Sequence, residues 1–138
     1  MSSSNLVLVV DDDLGMLQGL NRLLKVHGFK AELFDSIEKI EARGNLDDAL
    51  CLVLDIDLNG RSGIELHRKL RGRGVSLPVI FITGNDNEVV RKEAIASGCV
   101  AYLTKPFLAK ALIGPIEKIA SVPSYEPGMD RRADRASH

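Results

Sequence analysis

Four apolar runs in this chain each end on or next to a side chain able to do chemistry. Residues 6–10 lead into Asp11, Asp12 and Asp13, residues 49–54 into Asp55, residues 78–83 close on Thr83, and residues 100–104 lead into Lys105. If these runs are neighbouring parallel strands, their ends meet in one crevice, because ligands of open α/β sheets bind beyond the carboxyl ends where strand order reverses. Two carboxylates in close contact repel by about 4 kcal/mol at an effective dielectric of about 20, so Asp11, Asp12 and Asp55 together require a counter-charge. Lys105 supplies one. A divalent cation supplies another, and an all-oxygen donor set with no Cys or His near this edge selects Mg2+ or Mn2+ over Zn2+. The chemistry expected of such a site is in-line attack by a carboxylate on an incoming phosphoryl group.

The elements that must position these groups are legible as alternating periods. Residues 6–10 and 49–54 are continuously apolar, as strands covered on both faces should be. Residues 30–34 alternate polar and apolar and predict a strand near the sheet edge, and residues 78–83 and 100–104 complete a set of five. Between them, helices are predicted over 14–27, from an N-cap at Ser36 to about 43, over 64–71, over 87–97 and over 108–121. In the first helix Leu14, Leu17, Asn21 and Leu24 share one stripe, widened by Leu20 and Leu23; in the last, Leu112, Ile113, Ile116, Ile119 and Ala120 form the apolar face. Residues 59–63 read as loop. Five βα units predict a flavodoxin-like doubly wound sheet in strand order 2-1-3-4-5 with helices on both faces. The domain is expected over residues 5–121, with 1–4 disordered and 122–138 a flexible tail or truncated linker holding two prolines.

Composition narrows the function classes. With 18 Lys plus Arg against 19 Asp plus Glu, no global charge marks a nucleic-acid or membrane-surface binder. No apolar run is long enough to span a bilayer, and the Met-Ser-Ser-Ser-Asn start lacks a basic region followed by an apolar one, so a cytoplasmic location is expected. Cys51 and Cys99 lack ligand spacing and read as reduced structural thiols. His27 reads as a cation-capable residue near a helix C-terminus and His67 as a helix-face residue, neither with a catalytic partner.

The stretches Val9-Val10-Asp11-Asp12-Asp13, Leu54-Asp55-Ile56-Asp57-Leu58-Asn59-Gly60, Ile82-Thr83-Gly84 and Tyr102-Leu103-Thr104-Lys105-Pro106-Phe107 resemble, in order and spacing, the receiver domains of two-component response regulators. The segment from Ala94 to Tyr102 resembles the same family's passage from fourth helix to fifth strand, and the likeness covers residues 5 to about 121. What it implies is a switch whose phosphoacceptor is Asp55, with Asp12 a direct metal ligand, Asp11 acting largely through metal-bound water and the Asp57 backbone carbonyl a further ligand. Thr83 and Lys105 would bind phosphoryl oxygens, Thr83 and Tyr102 would form the switch pair, and the Lys105–Pro106 bond would be cis. The phosphoryl donor would be a sensor histidine kinase or a histidine phosphotransfer protein. Output would pass through the face formed by the fourth helix, fifth strand and fifth helix, where phosphorylation-dependent homodimers form in this family, with no direct nucleic-acid binding by this domain. Such a receiver is not an enzyme acting on other molecules. Asn59 stands where the family usually has proline, which predicts a less rigid loop.

Three other readings meet specific objections. Asp55-Ile56-Asp57 also matches the nucleophile motif of haloacid-dehalogenase-like phosphatases, but that family puts it on the first strand with the acidic pair after it. A flavodoxin would need a Ser/Thr/Gly-rich phosphate loop where three aspartates stand. A degenerate receiver lacks one of the acid pair, acceptor or lysine, all present here. Taken alone, Asp11, Asp12 and Asp13 could be a helix N-cap and dipole cluster.

Overall fold

The computed structural model describes residues 4–122. The elements run β1 (Leu6–Val10), α1 (Leu14–Val26), β2 (Lys30–Phe34), α2 (Ile37–Arg43), β3 (Cys51–Asp55), β4 (Asp57–Leu58), β5 (Arg61–Ser62), α3 (Gly63–Gly72), β6 (Val79–Thr83), α4 (Glu88–Ala96), β7 (Ala101–Thr104) and α5 (Ala109–Ala120). Five strands form a parallel sheet in the order β2-β1-β3-β6-β7, which is the expected 2-1-3-4-5 arrangement once the small β4-β5 pair is set aside. The tail expected over 122–138 lies, from residue 123 on, outside the described residues, as do residues 1–3. Ser4 is described, and its hydroxyl donates to the Asp48 carbonyl at 2.6 Å.

Alternation along the strands divides the core into two layers. Leu8, Val10, Leu52, Leu54 and Phe81 point to the side covered by α2, α3 and α4, where Ile37, Ile40, Ile64, Leu66, Leu70 and Ala94 meet them. Val7, Val9, Cys51, Val53, Ile80 and Ile82 point to the side covered by α1 and α5, against Leu17, Leu20, Leu24, Leu112, Ile113, Ile116 and Ile119. On the expected α1 stripe Leu14 departs from the pattern: it is 63% exposed, in the helix's first turn. Among the described residues no helix is long and apolar enough to cross a membrane.

Two stretches correct the sequence reading. The third strand begins at Cys51 rather than residue 49, because the Ala49 N–H turns back to the Leu46 carbonyl (3.1 Å), and it runs through Asp55, which is itself paired in the ladder with Ile82. Residues expected as loop form a hairpin: β4 and β5 pair antiparallel, Asp57 with Ser62 and Leu58 with Arg61, around Asn59 and Gly60 at φ 53° and 81°. Positive φ at both central residues is the geometry of the two-residue hairpin turn that Asn-Gly favours. Asn59 therefore takes a conformation closed to proline, whose ring fixes φ near −65°. An Asn59→Pro variant would lose this turn and the N–H that Asn59 donates to Asp12 Oδ2 (2.9 Å). We expect a destabilisation of about 2 kcal/mol or more, read by urea unfolding; a more stable variant would show that the turn is not maintained.

Candidate functional site

The expected residues converge at the carboxyl edge of the sheet. One carboxylate oxygen from each of Asp11, Asp12 and Asp55 lies within 4.8 Å of the other two. Asp11 is fully buried and Asp55 nearly so, while Asp12 is half-buried. Lys105 Nζ lies 3.0 Å from Asp11 Oδ2 and 3.0 Å from Asp55 Oδ2, bridging the first and third strands from the end of β7. The Lys105–Pro106 peptide is cis. Thr83, at the end of β6 beside Asp55's strand, is buried, and its Oγ1 accepts from the Asn85 N–H (3.1 Å).

The three consecutive aspartates divide the two readings of their cluster between them. Asp13 is the N-cap of α1, accepting from the Gly15 and Met16 N–H groups at 2.9 and 3.2 Å. Asp11 and Asp12 remain for the acidic site, with Asp11 Oδ1 also accepting from the Asp13 N–H (2.9 Å). Local backbone contacts likewise fix Asp55, whose Oδ1 accepts from the Asp57 N–H (3.0 Å). The Asp57 side chain is exposed, with Oδ1 3.4 Å from the Gly60 N–H across the hairpin.

Charge and burial compete here. Burial above all, aided by the Asp11 carboxylate, pushes Asp55 up to about 6, although Lys105 and the Asp57 N–H pull the other way. Burial disfavours the Lys105 ammonium, yet its hydrogen bonds to Asp11 and Asp55 outweigh this and hold it above the ordinary lysine value. The donor set fits a hard divalent cation: three carboxylates within reach of one ion, all oxygen, in a region where one lysine faces a buried acidic pair.

Tyr102 on β7 is half-buried, and its hydroxyl donates to Asp86 Oδ1 at 2.9 Å. Asp86 is a site neighbour that sequence reading did not single out, since nothing in a polar surface loop announces a contact with a strand 16 residues away. Gly63 is another. A Cβ there would overlap the Asp55 carbonyl oxygen and lie 3.1 Å from the Asp55 carbonyl carbon and from the Ile56 Cα, so α3 begins against the backbone that carries Asp55.

His67, expected as a helix-face residue, lies on the buried face of α3. It meets Phe81 edge-on at 5.6 Å between ring centroids, and its Nδ1 lies 3.2 Å from Ser97 Oγ. Ser97 Oγ spends its one proton on the Ala94 carbonyl (2.7 Å), so Nδ1 carries the hydrogen and donates. Its helical spacing from Ile64 and Leu70 is the signal that could have placed it on the buried face. Burial, reinforced by the positive charges of Arg71 and Arg68, lowers it to about 4.

The response regulator receiver domain family matches over residues 7–117. Response regulator protein TodT of Pseudomonas putida is 32% identical over 113 residues, covering 82% of this chain and 50% of that protein. Response regulator MprA of Mycobacterium tuberculosis is 32% identical over 132 residues, covering 95% of this chain and 57% of its own length. The chain thus spans about half the length of the curated relatives it matches. Among solved structures, FixJ-N superposes with a TM-score of 0.78 at 28% identity, covering 91% of this chain and 99% of that one. A response regulator receiver protein from Pseudoalteromonas atlantica reaches a TM-score of 0.80 over 84% of this chain and 97% of that one; at 24% identity it speaks for the fold alone. With the family matched across the whole sheet and its acidic edge, the chain belongs to the response regulator receiver domains of two-component systems.

Proposed function

We propose that this receiver is a phosphorylation-dependent switch that accepts a phosphoryl group on Asp55 from a sensor histidine kinase or a histidine phosphotransfer protein. One observation carries the reading: the buried Asp55 carboxylate ends the central strand, paired with Lys105 at 3.0 Å and within one ion's reach of Asp11 and Asp12. Asp11, Asp12 and Asp55, with the Asp57 backbone carbonyl, would hold Mg2+ (or Mn2+), which when bound supplies charge neutralisation for the phosphoryl oxygens. In the transfer, an Asp55 carboxylate oxygen forms a bond to phosphorus while the phosphorus–nitrogen bond of a phosphohistidine breaks, and the imidazole keeps the electron pair. Lys105, already shared between two carboxylates, turns from Asp55 to a phosphoryl oxygen. Thr83 accepts from Asn85 through its oxygen and so keeps its proton for donation to another.

Output follows from the same hydroxyl. Thr83 drawn toward the phosphoryl group vacates space beside β7 into which the Tyr102 ring moves, exchanging two packings of the α4, β7 and α5 face. Glu88, Arg91, Lys92 and Lys118 are exposed there and are the contacts we assign to a partner or a second copy of the chain. We place the switch in the cytoplasm, without nucleic-acid or membrane binding of its own and with no catalysis beyond its own phosphorylation and dephosphorylation.

Acetyl phosphate with Mg2+ tests the central step. Intact-mass measurement should find a single acid-labile phosphoryl group on the wild-type protein, none without the ion, and a rate at least roughly 100-fold lower in Asp55→Asn. Labelling of Asp55→Asn at the wild-type rate would overturn the assignment.

A further inference from the structure

Four residues, Gly84 to Asn87, join Thr83 to α4, and three of them are tied down. The Asn85 N–H donates to Thr83 Oγ1 (3.1 Å), and Asn87 caps α4 by accepting from the Val90 N–H (2.8 Å). Between them Asp86 uses both carboxylate oxygens: Oδ1 accepts from the Tyr102 hydroxyl at 2.9 Å and Oδ2 from Arg91 at 2.6 Å. Arg91 in turn lies over the Tyr102 ring, 5.6 Å from its centroid. Asp86, Arg91 and Tyr102 thus close a ring of contacts that spans the loop, α4 and β7. The phenol donates to an ionised acceptor, and the guanidinium faces the electron-rich side of the same ring.

We propose that Asp86 is a positioning residue that holds Tyr102 outward against α4 and so biases the receiver toward its resting packing. The inference rests on the Thr83–Tyr102 exchange proposed above and names what restrains it in this chain. The restraint acts in series with the site. Asn85 contacts Thr83 and the next residue contacts Tyr102, so a Thr83 hydroxyl that withdraws from the Asn85 N–H releases the backbone one residue before Asp86. Leaving the outward position costs Tyr102 both the carboxylate and the cation. The Asp86 and Arg91 side chains are 36% and 50% exposed, and solvent weakens each contact, so the restraint is weak enough for phosphorylation to override.

Removing it should shift the population toward the inward packing by about fivefold, and beryllofluoride with Mg2+, a phosphoryl mimic, should bind Asp86→Ala about fivefold more tightly than the wild type. Asp86→Asn, which keeps an acceptor for the phenol but loses the ion pair, should fall between them. The chain has 2 tyrosines, Tyr102 and Tyr125, so fluorotyrosine labelling yields two fluorine resonances that a Tyr102→Phe variant assigns. In unliganded Asp86→Ala the Tyr102 resonance should move toward the position it takes in the beryllofluoride-bound wild type. In a Tyr102→Phe background, Asp86→Ala should leave beryllofluoride affinity unchanged within about twofold, which a merely structural role for Asp86 would not produce. An unmoved Tyr102 resonance in Asp86→Ala, or an affinity change that persists without the phenol, overturns the proposal. A wild type that binds beryllofluoride with no movement of Tyr102 overturns the exchange itself, and with it the inference. Failure of the wild type to bind it at all counts against the Asp55 site, and a Tyr102 resonance at the same position in unliganded wild type and unliganded Asp86→Ala then still overturns the restraint, while a displaced one supports it.

Discussion

Replacing Gly63 with alanine is expected to lower stability by about 3 kcal/mol or more and to disable the acidic site together with the core. The added methyl has nowhere to go. Its neighbours are the Asp55 carbonyl oxygen, which it would overlap, and the Asp55 carbonyl carbon and Ile56 Cα, each at 3.1 Å. These are backbone atoms of the central strand and its exit, fixed on one side by the ladder to Ile82 and on the other by the Gly63 N–H, which donates to the Ile56 carbonyl at 2.7 Å. A side-chain tip could rotate aside, but a strand end moves only by carrying its own side chain with it. The Asp55 carboxylate should therefore leave its place beside Lys105 and the other two aspartates. Gly72 provides the control. It ends the same helix, and a Cβ added there would meet nothing within 4 Å, so Gly72→Ala should be neutral or stabilising by up to about 1 kcal/mol. Urea unfolding of both variants, with acetyl phosphate labelling of the folded protein, checks the pair. Equal stability for the two would show that α3 is not seated on the Asp55 backbone.

That contrast also shows what the sequence could and could not reveal. The sheet was legible because both central strands are apolar without interruption, and the site because Asp11, Asp55, Thr83 and Lys105 each stand at or just past a strand end, where a parallel sheet collects its ligands. The hairpin at Asn59 and Gly60 went unread because strands of two residues have no period to detect, although the Asn-Gly pair is itself a hairpin signal. Gly63 and Asp86 act through neighbours 8 and 16 residues away, and no local pattern encodes such meetings. Leu14 illustrates the converse failure. It has the right helical spacing for the core, yet it sits in the first turn of α1 and remains exposed, since periodicity identifies a face but not how far along the helix that face is covered.

His67 and Asp55 lead to a second large effect, hidden in the wild type. In protein freed of divalent cations, the contributions of these two buried groups to the unfolding free energy should oppose each other from pH 4 to 6, the interval that their displaced ranges share. Folding lowers His67 from 6.5 to about 4, so between those values the unfolded chain binds a proton that the native state refuses. The contribution of His67 is complete above pH 6.5 and is lost as pH falls toward 4. Asp55 behaves in the opposite sense. Folding raises it from 3.8 to about 6, so the native state keeps a proton that the unfolded chain releases, and its contribution is greatest below pH 3.8 and declines as pH rises through 6. Each slope amounts to about 3 kcal/mol, so they largely cancel where they overlap. Single substitutions should expose them separately. Asp55→Asn leaves the histidine unopposed, and stability should then climb from acid to neutral pH by about 3 kcal/mol more than in the wild type. His67→Asn, whose amide can still donate to Ser97, leaves the aspartate, and stability should fall by a similar amount relative to the wild type over the same range. The absolute values will differ because Asn fills less of the space beside Phe81, but the slope is independent of that loss. Urea unfolding at fixed ionic strength in the presence of a chelator decides the matter. A wild-type curve that rises as steeply as that of Asp55→Asn would show that Asp55 does not hold its proton in the fold, and parallel curves for wild type and His67→Asn would show the same failure for His67.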